Sequence, residues 1–90
     1  MTNNSFTTIW TRIQSHEGES FKTVRGLEFT YKMADDAFYP SRTRYRISKS
    51  HFQKAYEMMP ASGAGEISQV VRGPSYVWAV LNDLRIRSMT

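Results

Sequence analysis

Ninety residues, a formal net charge of +4 and no cysteine bound what this chain is. The length suits one domain, 1–90, near the lower limit for a fold held by a hydrophobic core alone. The missing thiols exclude disulfides, thiolate zinc sites and redox motifs. The positive charge is local: Arg42 to Lys54 carries five of the twelve Lys and Arg and no carboxylate, which leaves seven cations against eight Asp and Glu elsewhere. A concentrated patch of that kind attracts polyanions.

No apolar run reaches the roughly 18 to 20 residues that span a bilayer. Met1 to Ser5 also lacks the basic start and apolar centre of a signal peptide. A soluble, cytoplasmic protein without membrane contact is therefore expected. Two Trp, five Phe and five Tyr bring large buried areas, so a core can form at about 25 cal/mol per Å² of apolar surface.

Along the chain, Phe6, Ile9, Trp10 and Ile13 fall at i, i+3, i+4 and i+7, one buried helical face. Asn4 or Ser5 can cap this helix and Gly18 lies past its end. Trp10 has the chemistry of a base-stacking platform, but its helical spacing argues for core. From Glu19 the period shortens. Phe21 to Val24 reads as a strand and Arg25-Gly26 as a turn. Leu27, Phe29, Tyr31 and Met33 then alternate with polar residues as a half-buried antiparallel strand. Asp35-Asp36 marks a second turn, followed by Phe38-Tyr39 and a return strand over Thr43 to Arg46. Pro40, which cannot donate to a ladder, sets this third strand at an edge or breaks it.

Ser48 is a natural N-cap for the next helix. Ile47 and Phe52 have the spacing of a hydrophobic staple, Phe52, Ala55, Tyr56 and Met59 form the apolar stripe, and Pro60 ends it. Ala61 to Gly65 reads as a short connection between packed helices. Glu66 to Val71 is expected to be a short helix. Pro74 opens a last one carrying Tyr76, Val77, Val80, Leu81 and Leu84 on a broad apolar face. The predicted architecture is α+β: an N-terminal helix, a three-stranded antiparallel sheet, then three C-terminal helices packed on one sheet face. The order helix, three strands, helix over 5–59 resembles double-stranded-RNA-binding domains, which also place basic residues at the start of the second helix. The resemblance is one of topology; the Lys-Lys pair and Ala-rich continuation of that family are missing here.

The candidate site follows from the basic stretch. An extended Arg42 to Arg46 puts Arg42, Arg44 and Arg46 on one face, about 6.6 to 7 Å apart. Lys49 and Lys54 extend the patch, Ser48, Ser50 and His51 supply further donors, and Tyr45 or Tyr39 can stack on or orient a base or sugar. The N-terminus of the following helix adds free N–H groups and a positive dipole end. The bland alternative is a charged edge that blocks strand-to-strand aggregation.

Catalysis would need His16, His51 and carboxylates such as Glu17 or Glu19 in a geometry the sequence does not fix. No metal-ligand spacing occurs, and Gly63-Ala64-Gly65 and Gly73-Pro74 lack the pattern of a phosphate loop. The helix-turn-helix outline over Glu66 to Leu84 places apolar residues where a recognition helix needs polar ones.

The expectation is thus a non-catalytic DNA- or RNA-binding protein, with no cofactor and no metal. A module docking on an acidic protein surface is the alternative and an RNA-cleaving toxin the third reading. Two phrases, Ile47-Ser48-Lys49-Ser50-His51-Phe52 and Gly73-Pro74-Ser75-Tyr76-Val77-Trp78, look like family signatures but match no named family.

Overall fold

The helical period of the N-terminal segment forms α1, Phe6–Ser15, in the computed structural model, which describes residues 6–59 and 64–87. Ile9, Trp10 and Ile13 are buried along its inner face. Trp10 is 3% exposed, with its ring 5.5 Å from Phe52 and 5.9 Å from Phe6, so it is a core residue and no stacking platform. Gly18 follows in the left-handed region at φ +88° and donates its N–H to the carbonyl of Tyr31 at 3.0 Å. The expected caps Asn4 and Ser5 lie outside the described residues, as do Pro60 and the connection 61–63.

The architecture is α+β with a small antiparallel sheet system, but the sheet differs from the expected three strands. Five short strands form two sheets. In the first, β1 (Phe21–Lys22) pairs with β2 (Glu28–Phe29), Phe21 opposite Phe29. In the second, β3 (Tyr31–Ala34), β4 (Ala37–Pro40) and β5 (Ile47–Ser48) run in that order, with β4 central. The alternation from Leu27 to Met33 is kept in part: Phe29 and Tyr31 are 2% and 1% exposed while Leu27 faces solvent. What the pattern does not carry is the change of partner at Thr30, where one extended segment leaves β1 and takes up β4. Thr30 marks the switch: its N–H bonds the Ser41 hydroxyl and its carbonyl accepts the Ser41 N–H.

Asp35 and Asp36 both adopt positive φ, 53° and 57°, the conformation of a two-residue hairpin turn whose twist matches its strands. The carbonyl of Asp36 then accepts the first N–H of the next helix, from Lys49, at 3.1 Å. Pro40 is the last residue of β4, opposite Tyr31. With no N–H to donate it ends the strand, and the chain turns at once. The return strand expected over Thr43 to Arg46 is therefore a loop, and pairing with β4 resumes only at Ile47.

Helix α2, Lys49–Glu57, starts after Ser48 as expected, with Phe52 and Ala55 buried and Ile47 and Phe52 both fully buried. The predicted helix over Glu66 to Val71 is instead one 3-10 turn, Ala64–Glu66, followed by turns. Ile67 and Val71 are buried there, but Val70 is exposed. Pro74 opens α3, Pro74–Asn82, after Gly73 at φ 60°, and Val77, Ala79, Val80 and Leu81 face inward. The expected single last helix breaks at extended Asp83. A short α4, Leu84–Arg87, restarts there and leaves Leu84 exposed at 69%.

One core unites these elements, with Tyr31, Phe38 and Phe52 at its centre. Tyr31 stacks on Phe38 at 4.4 Å, and its hydroxyl donates to the carbonyl of Ile13 at 2.7 Å. Burial, reinforced by the neighbouring Glu19 carboxylate, raises that phenol above its ordinary value near 10. Among the described residues no helix is long and apolar enough to cross a membrane.

Candidate functional site

The basic arm from Arg42 to Lys54 is built differently from the alternating face its sequence predicts. Because Pro40 ends β4, the chain turns over Ser41 and Arg42. The hydroxyl of Thr43 then donates to the carbonyl of Tyr45 at 3.2 Å, bending the backbone. The three arginines thus leave a loop rather than a pleated strand, and they separate in role. Arg42 turns back to the first sheet, its Nε donating to the carbonyl of Glu28 at 2.6 Å. Arg44 and Arg46 are exposed and make no hydrogen bond or ion pair with a described residue.

Beyond the loop, Ser48 takes an extended N-cap conformation without a side-chain cap bond. Its hydroxyl instead lies 3.0 Å from that of Ser50. Lys49 is half-buried, and Lys54 is exposed further along α2. The three ion pairs among described residues join His16 to Glu19 and Arg85 to Glu19 and Asp83. None involves a residue of the arm.

Sequence reasoning missed one member of this surface, Arg72. Its N–H donates to Nδ1 of His51 at 2.8 Å, and its guanidinium lies 5.2 Å from the centroid of the Tyr45 ring, within cation–π range. Only an unprotonated ring nitrogen accepts, so the neutral His51 ring carries its proton on Nε2. Beside Arg72, Gly73 sits at φ +60°, and a Cβ there would meet Ile47 Cδ1 at 2.7 Å and the Tyr45 hydroxyl at 3.1 Å. Glycine is required twice, for its backbone conformation and for the close approach. The two signature-like phrases therefore meet: the segment entering α3 docks on the segment entering α2.

This docking frames a cleft of about 550 Å³ between the β1–β2 turn and the start of α3. Val24, Arg25 and Leu27 of that turn line it together with Pro74 and Tyr76 of α3 and Tyr45 of the arm. No Asp or Glu lines it among the described residues.

The histidines do not assemble a catalytic set. His16 pairs with Glu19 at 3.0 Å at the end of the molecule where Arg85 is held, whereas His51 is tied to Arg72. At that first end the His16 hydrogen bond, and then Arg85, lower the Glu19 carboxyl. Hydrogen bonds from Arg85 lower Asp83, and those contacts in turn raise the guanidinium. No group of three or more His, Asp and Glu among the described residues is placed to hold a metal. No protein-family model matches the chain, and no curated protein or solved structure is significantly similar to it.

Proposed function

We propose that this chain binds nucleic acid without catalysing a reaction, holding the phosphate backbone on Arg44, Arg46 and Arg72 with Lys49 and Lys54 as flanking charge. The observation that carries the reading is the lack of carboxylate partners among the described residues. The arm concentrates cations, and none of them forms an ion pair with a described carboxylate. Guanidinium groups left with open donors suit the bidentate geometry of a phosphate. Ser48 and Ser50 supply hydroxyl donors beside the start of α2, whose dipole favours an anion. Arg42 contributes charge, with its Nε engaged at Glu28.

The test is a titration of short DNA and RNA strands across salt concentration, with the unmodified chain and an Arg44→Ala, Arg46→Ala, Arg72→Ala variant. Affinity is expected to fall as salt rises, with a slope of about −0.7 per phosphate contact on single strands. The triple variant is expected to flatten that slope by about 2. Equal affinity of the two proteins at low salt overturns the reading. Binding of an acidic protein that persists after nuclease treatment, with no binding of either nucleic acid, replaces it with the protein-docking alternative.

A further inference from the structure

Resting on that reading, we infer that the cleft beside Tyr45 accepts an unpaired base of the bound strand, so that the ligand is single-stranded nucleic acid. A surface that only collects phosphates needs no cavity, yet this one adjoins a cleft of about 550 Å³. That size lies within the roughly 300 to 1,000 Å³ of small-molecule sites. Its walls have the mixed chemistry a nucleobase requires. Tyr45, with Arg72 over its ring, and Tyr76, packed edge-on with Phe29, line it beside Val24, Leu27 and Pro74 for apolar contact and Arg25 for charge.

Val24 and Leu27 are 73% and 43% exposed, apolar surface left in water on the rim. Stacking on aromatic rings is tolerant of base identity, and this is how sequence-independent single-strand binders gain affinity beyond charge.

Charge complementarity selects the occupant. Arg25 lines the cleft, Arg72 lies over the Tyr45 ring, and Arg44 and Arg46 flank Tyr45 in the chain. A group entering this cleft thus meets the Arg25 guanidinium, with Arg72 held at the lining Tyr45, and no carboxylate among the described lining residues. A base carried on a phosphate backbone suits that positive charge, whereas an apolar peptide leaves it without a partner. A duplex keeps its bases stacked and paired, so it presents phosphates to the arm but nothing to the cleft.

The experiment compares short oligothymidylate and oligouridylate strands with abasic strands of the same length and sugar, which keep every phosphate and remove every base. Affinity is read by anisotropy at low salt, and contacts by amide chemical shifts of the full chain. The protein is unaltered, so no loss of folding can imitate the result. Intact strands are expected to bind about tenfold tighter than abasic ones, with shifts at Arg25, Leu27, Ser75 and Tyr76 as well as on the arm. Equal affinity of intact and abasic strands, with shifts confined to 42–54 and Arg72, overturns the base cleft and leaves phosphate binding standing. Absence of binding by both kinds of strand overturns this inference, and absence of binding by a duplex as well overturns the proposed function with it.

Discussion

Arg85 and Arg44 are the same side chain in opposite circumstances. Arg85 spends four N–H···O contacts inside the molecule. Its Nε and one terminal nitrogen fork onto Asp83 at 2.9 and 3.0 Å, while Glu19 and the carbonyl of Ser20 take the others. Its plane also lies 3.8 Å from the centroid of the Phe21 ring. Nearby, Arg12 reaches the carbonyl of Ile86 at 2.9 Å, so both arginines tie the C-terminal helix to α1 and the first sheet. Arg44 makes no such contact with a described residue. Two carboxylates, Glu19 and Asp83, pair with Arg85, and among the described residues no arginine of the arm forms such a pair. An arginine with its donors satisfied is part of the architecture, and one with open donors is available to a ligand.

Exchanging the roles tests that contrast most directly. The triple Arg44→Ala, Arg46→Ala, Arg72→Ala variant is expected to lose affinity for a single strand by on the order of a hundredfold at low salt, with little change in melting temperature. Arg85→Ala is expected to do the reverse. It costs about 1 kcal/mol after allowance for screening of a side chain 36% exposed, a fall of about 4–8 °C in Tm, with binding intact. Thermal melts and anisotropy on both variants separate the outcomes. A triple variant that melts early and still binds would invert the assignment.

Gly73 joins the two regimes, because its backbone is architecture while its neighbours belong to the arm. Gly73→Ala places a Cβ at φ +60° and within 2.7 Å of the buried Ile47 side chain. Backbone strain and the displaced contact together are expected to cost about 2 kcal/mol. Chemical-shift changes should reach Tyr45 and His51, which the docking holds, and not Asp83. Shifts confined to α3 would show that the two segments move independently.

How much of this was legible in the sequence divides along the same line. The helices α1 and α2, their buried faces and the turn at Asp35-Asp36 follow from local spacing, because 3.6-residue periods and turn chemistry are properties of neighbouring residues. Pro40 also spoke locally, as the end of a strand. The continuation beyond it was misread because alternating Arg42, Thr43, Arg44, Tyr45 and Arg46 mimic a pleat; the bend made by Thr43 depends on a bond that alternation does not encode. Arg72 carries no periodic signal toward Tyr45 or His51, since the contact spans 21 residues and is made by a backbone N–H. The Glu19–Arg85 pair, 66 residues apart, was invisible for the same reason. Gly73-Pro74 was readable as a helix start but not as a docking point.

The carboxylate end should respond to acid in a way the arm does not. Hydrogen bonds from Arg85 hold Asp83 below its ordinary value of 3.8. A depressed folded value means that the group stabilises the fold above its unfolded value and loses this contribution as pH falls through the folded one. Melting temperature of the unmodified chain is therefore expected to drop below about pH 4, and Asp83→Asn should flatten that drop. The amide oxygen still accepts the Arg85 N–H that Asp83 Oδ1 holds at 2.9 Å, so the cap of α4 is kept while the charge is removed. An unchanged acid limb in the variant would place the sensitivity elsewhere.

The smallest expected effect is the most discriminating, because it asks whether the arm is held in shape at all. His51 Nδ1 takes the Arg72 N–H at an exposed position. On removal of the ring, water substitutes and His51→Ala should lower stability by only about 0.5 kcal/mol. Arg72 would nevertheless lose the contact that fixes its backbone beside Tyr45, so affinity for a single strand is expected to fall about threefold, or roughly 0.7 kcal/mol. Asn at position 51 carries an oxygen the same number of bonds from Cα as Nδ1 and should restore both values, whereas Gln sets its acceptor one bond further out and should not. A loss of stability without loss of affinity in His51→Ala would mean that Arg72, like Arg85, belongs to the architecture.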